Sequence, residues 1–139
     1  MRERRLLQVA VILGSLVPVL AGSSGVILGP RLFHDTLVYI PLDNHFRYLS
    51  GLLLAIGFGF LSCVRNIEHK TGRVRLLGGL VVVGGLARAI GVIATGYPGL
   101  IMIAALVMEL VITPALCIWQ ARVARKMRAV THPFSTPQE

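Results

Sequence analysis

The chain has 139 residues, of which 55% are hydrophobic and only 14% are charged, and its mean hydropathy is +0.75. Soluble domains carry about 25% charged residues, so this composition excludes an ordinary soluble domain and indicates a polytopic membrane protein. The net charge of +8 does not indicate nucleic-acid binding, because the cations flank the apolar runs, where membrane topology explains them.

Four apolar runs are each long enough to cross a bilayer, which takes ~20 residues of helix. They cover residues 6–28, 46–64, 74–95 and 99–119. The predicted fold is therefore all-α: an integral membrane four-helix bundle over residues 1–128. A disordered cytoplasmic tail is predicted for residues 129–139, which contain little apolar sequence.

The basic residues predict the orientation of these helices. Most of the 14 Lys and Arg residues lie before the first run, between the second and third, or after the fourth. The positive-inside rule then places both termini and the middle loop in the cytoplasm. A competing interpretation reads residues 1–21 as a secretory signal peptide cleaved after Ala21, which would leave three crossings. The apolar run continues to Leu28, which favours a retained helix.

The longest connection, residues 29–45, is predicted to lie outside the cell. Phe33, Leu37 and Ile40 have the spacing of a short amphipathic helix at the membrane surface, with Pro30 at its first position. An extended conformation stays open, because residues 37–40 are also β-prone.

Small residues predict where helices approach each other. In lipid, close contact of backbones contributes more to helix association than hydrophobicity does. The second segment carries such a stripe at Gly51, Ala55 and Gly59. The third segment carries Gly84, Gly85 and Ala89.

Two charges, Arg88 and Glu109, lie inside the third and fourth apolar segments. A charge at the centre of a membrane helix costs ~2.5–3.5 kcal/mol on insertion scales. From the helical rise, Arg88 lies ~10 Å and Glu109 ~15 Å below the predicted external boundary. The tight turn at residues 96–99 makes the two segments antiparallel neighbours, so an ion pair is predicted. Three roles stay open: a structural clamp, a small-molecule or proton site, and contacts to another subunit.

Further polar residues are predicted to form a funnel that opens outward above this pair. Gly84 and Gly91 flank Arg88 on one helix face and leave room there. Pro114 is expected to kink the fourth helix, and Thr113 to bond Glu109 or the backbone. The residues of the possible pocket are Asp43, Asn44, Arg47, Tyr48 and Thr113. Either Asp43 or Asn44 is also predicted to cap the second helix, and Asp43 and Arg47 alternatively form an ordinary surface pair.

Several motifs together resemble a known family. They are Arg47-Tyr48-Leu49-Ser50-Gly51, Gly84-Gly85-Leu86-Ala87-Arg88, Gly96-Tyr97-Pro98, Glu109-Leu110, Pro114 and Trp119-Gln120. In this set the chain resembles the DUF4345 proteins, small bacterial four-helix membrane proteins of unassigned function, and it is more loosely similar to DoxX-like proteins. The resemblance covers roughly residues 6–123. It implies a multi-pass protein of the bacterial inner membrane and brings no catalytic residues with it.

The sequence does not favour an enzyme, because no motif for a nucleophile, a phosphate loop or a metal site is present. No cofactor is predicted. The predicted function is a small-molecule binding or transport-like module with an Arg–Glu site open to the outside. The alternatives are an accessory or structural subunit of a larger membrane complex, and a membrane enzyme acting on a lipid or quinone. The predicted partners are the lipid bilayer and either a second copy of the chain or another membrane subunit.

Overall fold

The structure is a computed structural model that describes residues 2–33 and 39–131. Its helices are α1 (Arg2–Leu28), α2 (Ile40–Val64), α3 (Thr71–Thr95), α4 (Leu100–Val107) and α5 (Thr113–Thr131). A π-helical turn, Met108–Ile112, joins α4 to α5, and short 3₁₀ turns cover Gly29–Phe33 and Ile67–His69. Within the described residues, four helices are long and apolar enough to cross a membrane: Arg2–Leu32, Ile40–Val64, Thr71–Thr95 and Leu100–Ala129. The last of these is called the fourth span below. The predicted all-α fold with four membrane-length helices is confirmed.

The helix boundaries differ from the prediction at two places. Helix α2 begins at Ile40, because Pro41 suits a first helical turn and the Tyr39 carbonyl accepts the Asp43 N–H at 3.0 Å. Asp43 and Asn44 therefore lie inside the helix, and the prediction that one of them caps it is wrong. Helix α5 continues to Thr131, whereas residues 132–139 of the predicted tail lie outside the described residues. Residues 34–38 of the predicted surface helix also lie outside them.

The chain divides into two compact units, of which the first comprises residues 9–64. Here α1 and α2 approach so closely that a Cβ on Gly22 would lie 2.7 Å from the Leu54 nitrogen and 2.8 Å from the Ser50 carbonyl oxygen. A Cβ on Gly57 would likewise lie 2.7 Å from a Val19 methyl carbon. Only glycine permits backbones to come this near.

The face of α2 used in this contact is not the predicted one. Among the described residues, nothing lies within 4 Å of a Cβ built on Gly51, and Ala55 is exposed. The prediction that Gly51 and Ala55 belong to a packing stripe with Gly59 is therefore wrong at Gly51 and Ala55. The contact uses Ser50 and Gly57 instead, and one residue along a helix is a rotation of about 100°.

The second unit comprises residues Met1–Gln8 and Arg65–Glu139. Helix α3 packs against the fourth span where Gly78 meets the Cys117 sulfur and Gly85 meets Glu109 and Leu110. The connection between the two helices is short because Gly96 and Gly99 adopt φ angles of 94° and 97°, which favour glycine. The predicted antiparallel neighbours are therefore in contact.

One end of this second unit contains a small apolar core together with a hydrogen bond and an ion pair between its segments. Leu7, Ile67 and Val74 are buried there, and the side-chain amide of Gln120 donates to the Ile67 carbonyl oxygen at 2.7 Å. Arg4 lies 3.0 Å from the buried carboxylate of Glu68. These contacts bring the first turn of α1, the α2–α3 connection and α5 to the same end, as the predicted topology requires. The cytoplasmic location of that end stays a prediction.

Candidate functional site

The centre of the candidate site is an ion pair between α3 and the π-helical turn. The Arg88 Nε donates to Glu109 Oε2 at 2.9 Å, and Arg88 Nη2 donates to Glu109 Oε1 at 2.9 Å. This is the two-point geometry in which a guanidinium binds a carboxylate most strongly. The structure thus brings together the two charges that the sequence places inside apolar segments.

The third nitrogen of the guanidinium has a weaker partner. Arg88 Nη1 donates to the Met102 sulfur at 3.2 Å, and a thioether is a weak acceptor. An arginine carries five N–H donors, so two of them have no acceptor among the described residues. In a hydrocarbon environment an unsatisfied donor costs several kcal/mol. The outer edge of this guanidinium therefore carries two N–H donors without an acceptor among the described residues.

The pair is partly accessible. The side chain of Arg88 is 34% exposed and that of Glu109 17% exposed. Among the described residues, nothing lies within 4 Å of a Cβ built on Gly84 or Gly91, one turn to either side of Arg88 on α3. The guanidinium is therefore held from the side of the fourth span and left open beside these glycines.

The backbone that carries Glu109 is irregular. Glu109 lies in the π-helical turn, and both the N–H and the hydroxyl of Thr113 bond to the Met108 carbonyl oxygen, the hydroxyl at 2.8 Å. Of the two partners predicted for Thr113, the structure shows the backbone one. Pro114 follows directly and lacks an N–H, which interrupts the regular ladder. Single π-helical turns of this kind occur frequently at functional sites.

Asp43 and Arg47 form a second pair in the first unit. The Arg47 Nε and Nη2 donate to the two Asp43 oxygens at 2.9 and 3.2 Å. Its Nη1 donates to the carbonyl oxygens of Val26 and Ile27 at 2.6 and 3.1 Å. These carbonyls belong to the last turn of α1, where backbone acceptors lack helical partners and a positive charge is favourable. Arg47 therefore caps the end of α1, and Gly29 leaves the space for its guanidinium.

The other residues of the predicted funnel are exposed. Tyr48 is 62% exposed, and its ring stacks on His45 with a centroid distance of 6.5 Å. Asn44 is also exposed. The funnel from these residues to the Arg88–Glu109 pair stays a prediction.

The contacts of two residues of the second unit were not predicted from the sequence. Met102 precedes Glu109 by seven residues, a spacing that places both on one helix face and would have indicated a shared neighbour. Gln120 is fully buried and bonds both the Ile67 carbonyl and the Thr71 hydroxyl. The sequence contributed Gln120 only as part of the motif Trp119-Gln120, and no periodicity around it indicates burial.

Four membrane-length helices and an ion pair between two of them define a small multi-pass membrane protein. The chain matches the family model described as "Domain of unknown function (DUF4345)" over residues 6–120, and it belongs to that family. No curated protein and no solved structure matches the chain.

Proposed function

We propose that this protein is a small-molecule binding or transport-like module of the bacterial inner membrane, with both termini in the cytoplasm. Its site is the Arg88–Glu109 pair. The ligand carries a carboxylate, carbonyl or similar acceptor group, which binds the outer edge of the Arg88 guanidinium. Glu109 serves as the counter-ion and as a proton acceptor.

The observation that carries this proposal is that the hydrogen-bond donors of Arg88 are only partly bonded. A purely structural clamp is best served by a pair whose donors are all bonded, since each unsatisfied donor in lipid costs free energy. Here two N–H groups have no acceptor among the described residues, and the glycines beside them leave space. A ligand of the stated chemistry supplies what the pair lacks.

The test is native mass spectrometry of the protein purified in mild detergent, comparing wild type with Gly91→Leu and Gly79→Leu. Gly91 lies between Arg88 and the end of α3, and a leucine there leans toward the turn that holds Arg88. Gly79 is the matched control, because it also has open space around it but lies on the opposite side of α3 from Arg88. We expect a bound small molecule in wild type and in Gly79→Leu, and its loss in Gly91→Leu.

A fourth sample, Glu109→Gln, tests the role of the carboxylate. It is expected to lose the ligand while circular dichroism shows the wild-type helix content. Normal retention of the ligand in Glu109→Gln, or a wild-type protein that carries only ordinary lipid, would contradict the proposal and favour a structural clamp.

A second candidate function is an accessory subunit of a larger membrane complex. It is favoured by Gly72 and Gly79, which lie two turns apart on one side of α3 with nothing within 4 Å of an added Cβ among the described residues. Small residues on an unoccupied face permit close approach of a further membrane helix. Under this function, crosslinking in native membranes captures a larger species that Gly79→Leu abolishes and Gly91→Leu preserves.

A further inference from the structure

A cavity of about 380 Å³, half open to its surroundings, lies in the second unit near the end of the fourth span. Small-molecule pockets have volumes of about 300–1,000 Å³, so the size is sufficient for a polar head group. Its lining residues come from the first turn of α1 and from α5: Glu3, Trp119, Arg122, Val123, Arg125 and Lys126. Trp119 follows Glu109 by ten residues, or ~15 Å of helix, so this cavity is separate from the ion-pair site.

The charges of the lining do not balance. Lys126 bonds both carboxylate oxygens of Glu3, at 2.9 and 3.0 Å, and these two charges compensate each other. Arg122 and Arg125 are exposed, and neither has an acceptor for its guanidinium among the described residues. The cavity therefore presents two guanidinium groups without a bound anion from the protein.

Helical spacing explains why these side chains converge. Trp119, Arg122 and Arg125 follow each other at intervals of three, and Lys126 lies four residues after Arg122. Residues three and four apart share one face of a helix. On the other face of α5, Ala121 and Ala124 are buried, which holds the basic face outward.

The position of the cavity along the fourth span indicates the environment of its ligand. Trp119 lies at the junction where the apolar run ends and the basic run begins. Tryptophan concentrates at the level of the lipid head groups, where its ring contacts apolar chains and its N–H contacts polar groups. Guanidinium groups bind phosphate oxygens in two-point geometry. Basic pockets between membrane helices bind anionic head groups in this way.

We propose that the cavity formed by Trp119, Arg122 and Arg125 binds the phosphate group of an anionic phospholipid. Arg122 and Arg125 hold the phosphate oxygens. Trp119 contacts the glycerol and the first acyl carbons. A soluble phosphate ion would use the arginines alone, so the tryptophan favours a lipid.

The test uses Trp119 as its own reporter, because it is the single tryptophan of the chain. The protein is placed in phosphatidylcholine nanodiscs that contain an increasing fraction of phosphatidylglycerol. Only the phosphatidylglycerol carries brominated acyl chains, and these quench tryptophan fluorescence. Wild type is compared with the double variant Arg122→Gln/Arg125→Gln. The quantity measured is the equilibrium constant for exchange of phosphatidylcholine by phosphatidylglycerol beside Trp119. Each cation near a membrane surface contributes about fivefold to anionic-lipid binding, so this exchange constant should be about thirtyfold lower in the double variant than in wild type.

The matched control is Arg73→Gln/Arg75→Gln, which removes the same charge from exposed residues near the start of α3 that do not line the cavity. It should behave like wild type, and brominated phosphatidylcholine should quench all three proteins equally. An equal loss in both double variants would overturn the proposal, since it would show a general surface charge and no specific cavity.

Inorganic phosphate distinguishes the two sources of the anion. At constant ionic strength set with chloride, phosphate should not displace the lipid from wild type. Displacement would show a site for soluble phosphate and would overturn the assignment to a lipid. Because Arg122 and Arg125 have no partner to lose within the described residues, the variant should keep the helix content of wild type by circular dichroism.

Discussion

The guanidinium of Arg88 has one bonded and one open side. Its two-point contact with Glu109 neutralises both charges, and each partner makes the presence of the other tolerable in an apolar environment. Removal of one partner leaves an uncompensated charge, whereas removal of both leaves none. Comparing single with double substitutions therefore separates the cost of an unpaired charge from the free energy that the ion pair contributes.

Single and double substitutions should therefore behave differently. Glu109→Gln leaves Arg88 charged and should lower the free energy of unfolding by about 2.5–3.5 kcal/mol. The double variant Arg88→Met/Glu109→Met should lie within about 1 kcal/mol of wild type or above it, because apolar side chains of similar length replace the pair. Both are measured by denaturant titration in detergent micelles.

The outcome also bears on function. A stable double variant that has lost its bound molecule would place the pair in ligand binding. A double variant less stable than Glu109→Gln would contradict the argument and show that the pair contributes more than mutual neutralisation.

At the scale of secondary structure, contact between two helices depends on which face of the helix a glycine occupies. Gly78 and Gly85 lie against the fourth span, whereas Gly79 and Gly84, their neighbours in sequence, have open space around them. Composition cannot distinguish these residues, since each pair consists of adjacent glycines. The difference arises from the rotation of α3, because adjacent residues point about 100° apart.

Alanine substitutions should make this difference measurable. A Cβ on Gly85 would lie 2.8 Å from the Glu109 Cβ and from a Leu110 methyl carbon, so Gly85→Ala should destabilise the protein by about 1–3 kcal/mol. Gly79→Ala is the matched control and should be neutral or slightly stabilising, because alanine favours a helix over glycine. Thermal unfolding followed by circular dichroism compares the two. Equal effects would show that helix propensity alone accounts for both substitutions.

At the scale of the whole molecule, the basic residues and the contacts of the second unit agree on which segments lie together. The Arg4–Glu68 and Lys126–Glu3 pairs connect the first turn of α1 to the α2–α3 connection and to α5. A chain that crosses the membrane an even number of times likewise has its two ends on the same side. The side of the membrane follows from the positive-inside rule, which predicts that this end is cytoplasmic.

Cysteine labelling in whole cells tests the orientation. In a background with Cys63 and Cys117 replaced by alanine, Arg31→Cys and Arg128→Cys introduce exposed thiols at opposite ends of the predicted topology. A maleimide that cannot cross the membrane should label Arg31→Cys in intact cells. It should label Arg128→Cys only after permeabilisation. The reverse pattern would invert the topology and would place the cavity beside Trp119 at the external face.

The sequence by itself determined the number of membrane-length helices and the family, and it predicted similar depths for the two charges inside apolar segments. It could do so because apolar length and helical rise are properties of a single segment. Arg88 and Glu109 are predicted to lie at similar depths on adjacent helices, so their observed contact needed little beyond the short connection between those helices.

Only the tertiary structure decided which faces meet and which donors stay open. The use of Ser50 and Gly57 in place of Gly51, the capping of α1 by Arg47 and the bond from Arg88 to Met102 all depend on how one helix is rotated against another. A rotation of 100° changes every such contact without changing apolar length or depth. The π-helical turn that carries Glu109 likewise reflects the bonds of Thr113 and the missing N–H of Pro114 within the packed helix.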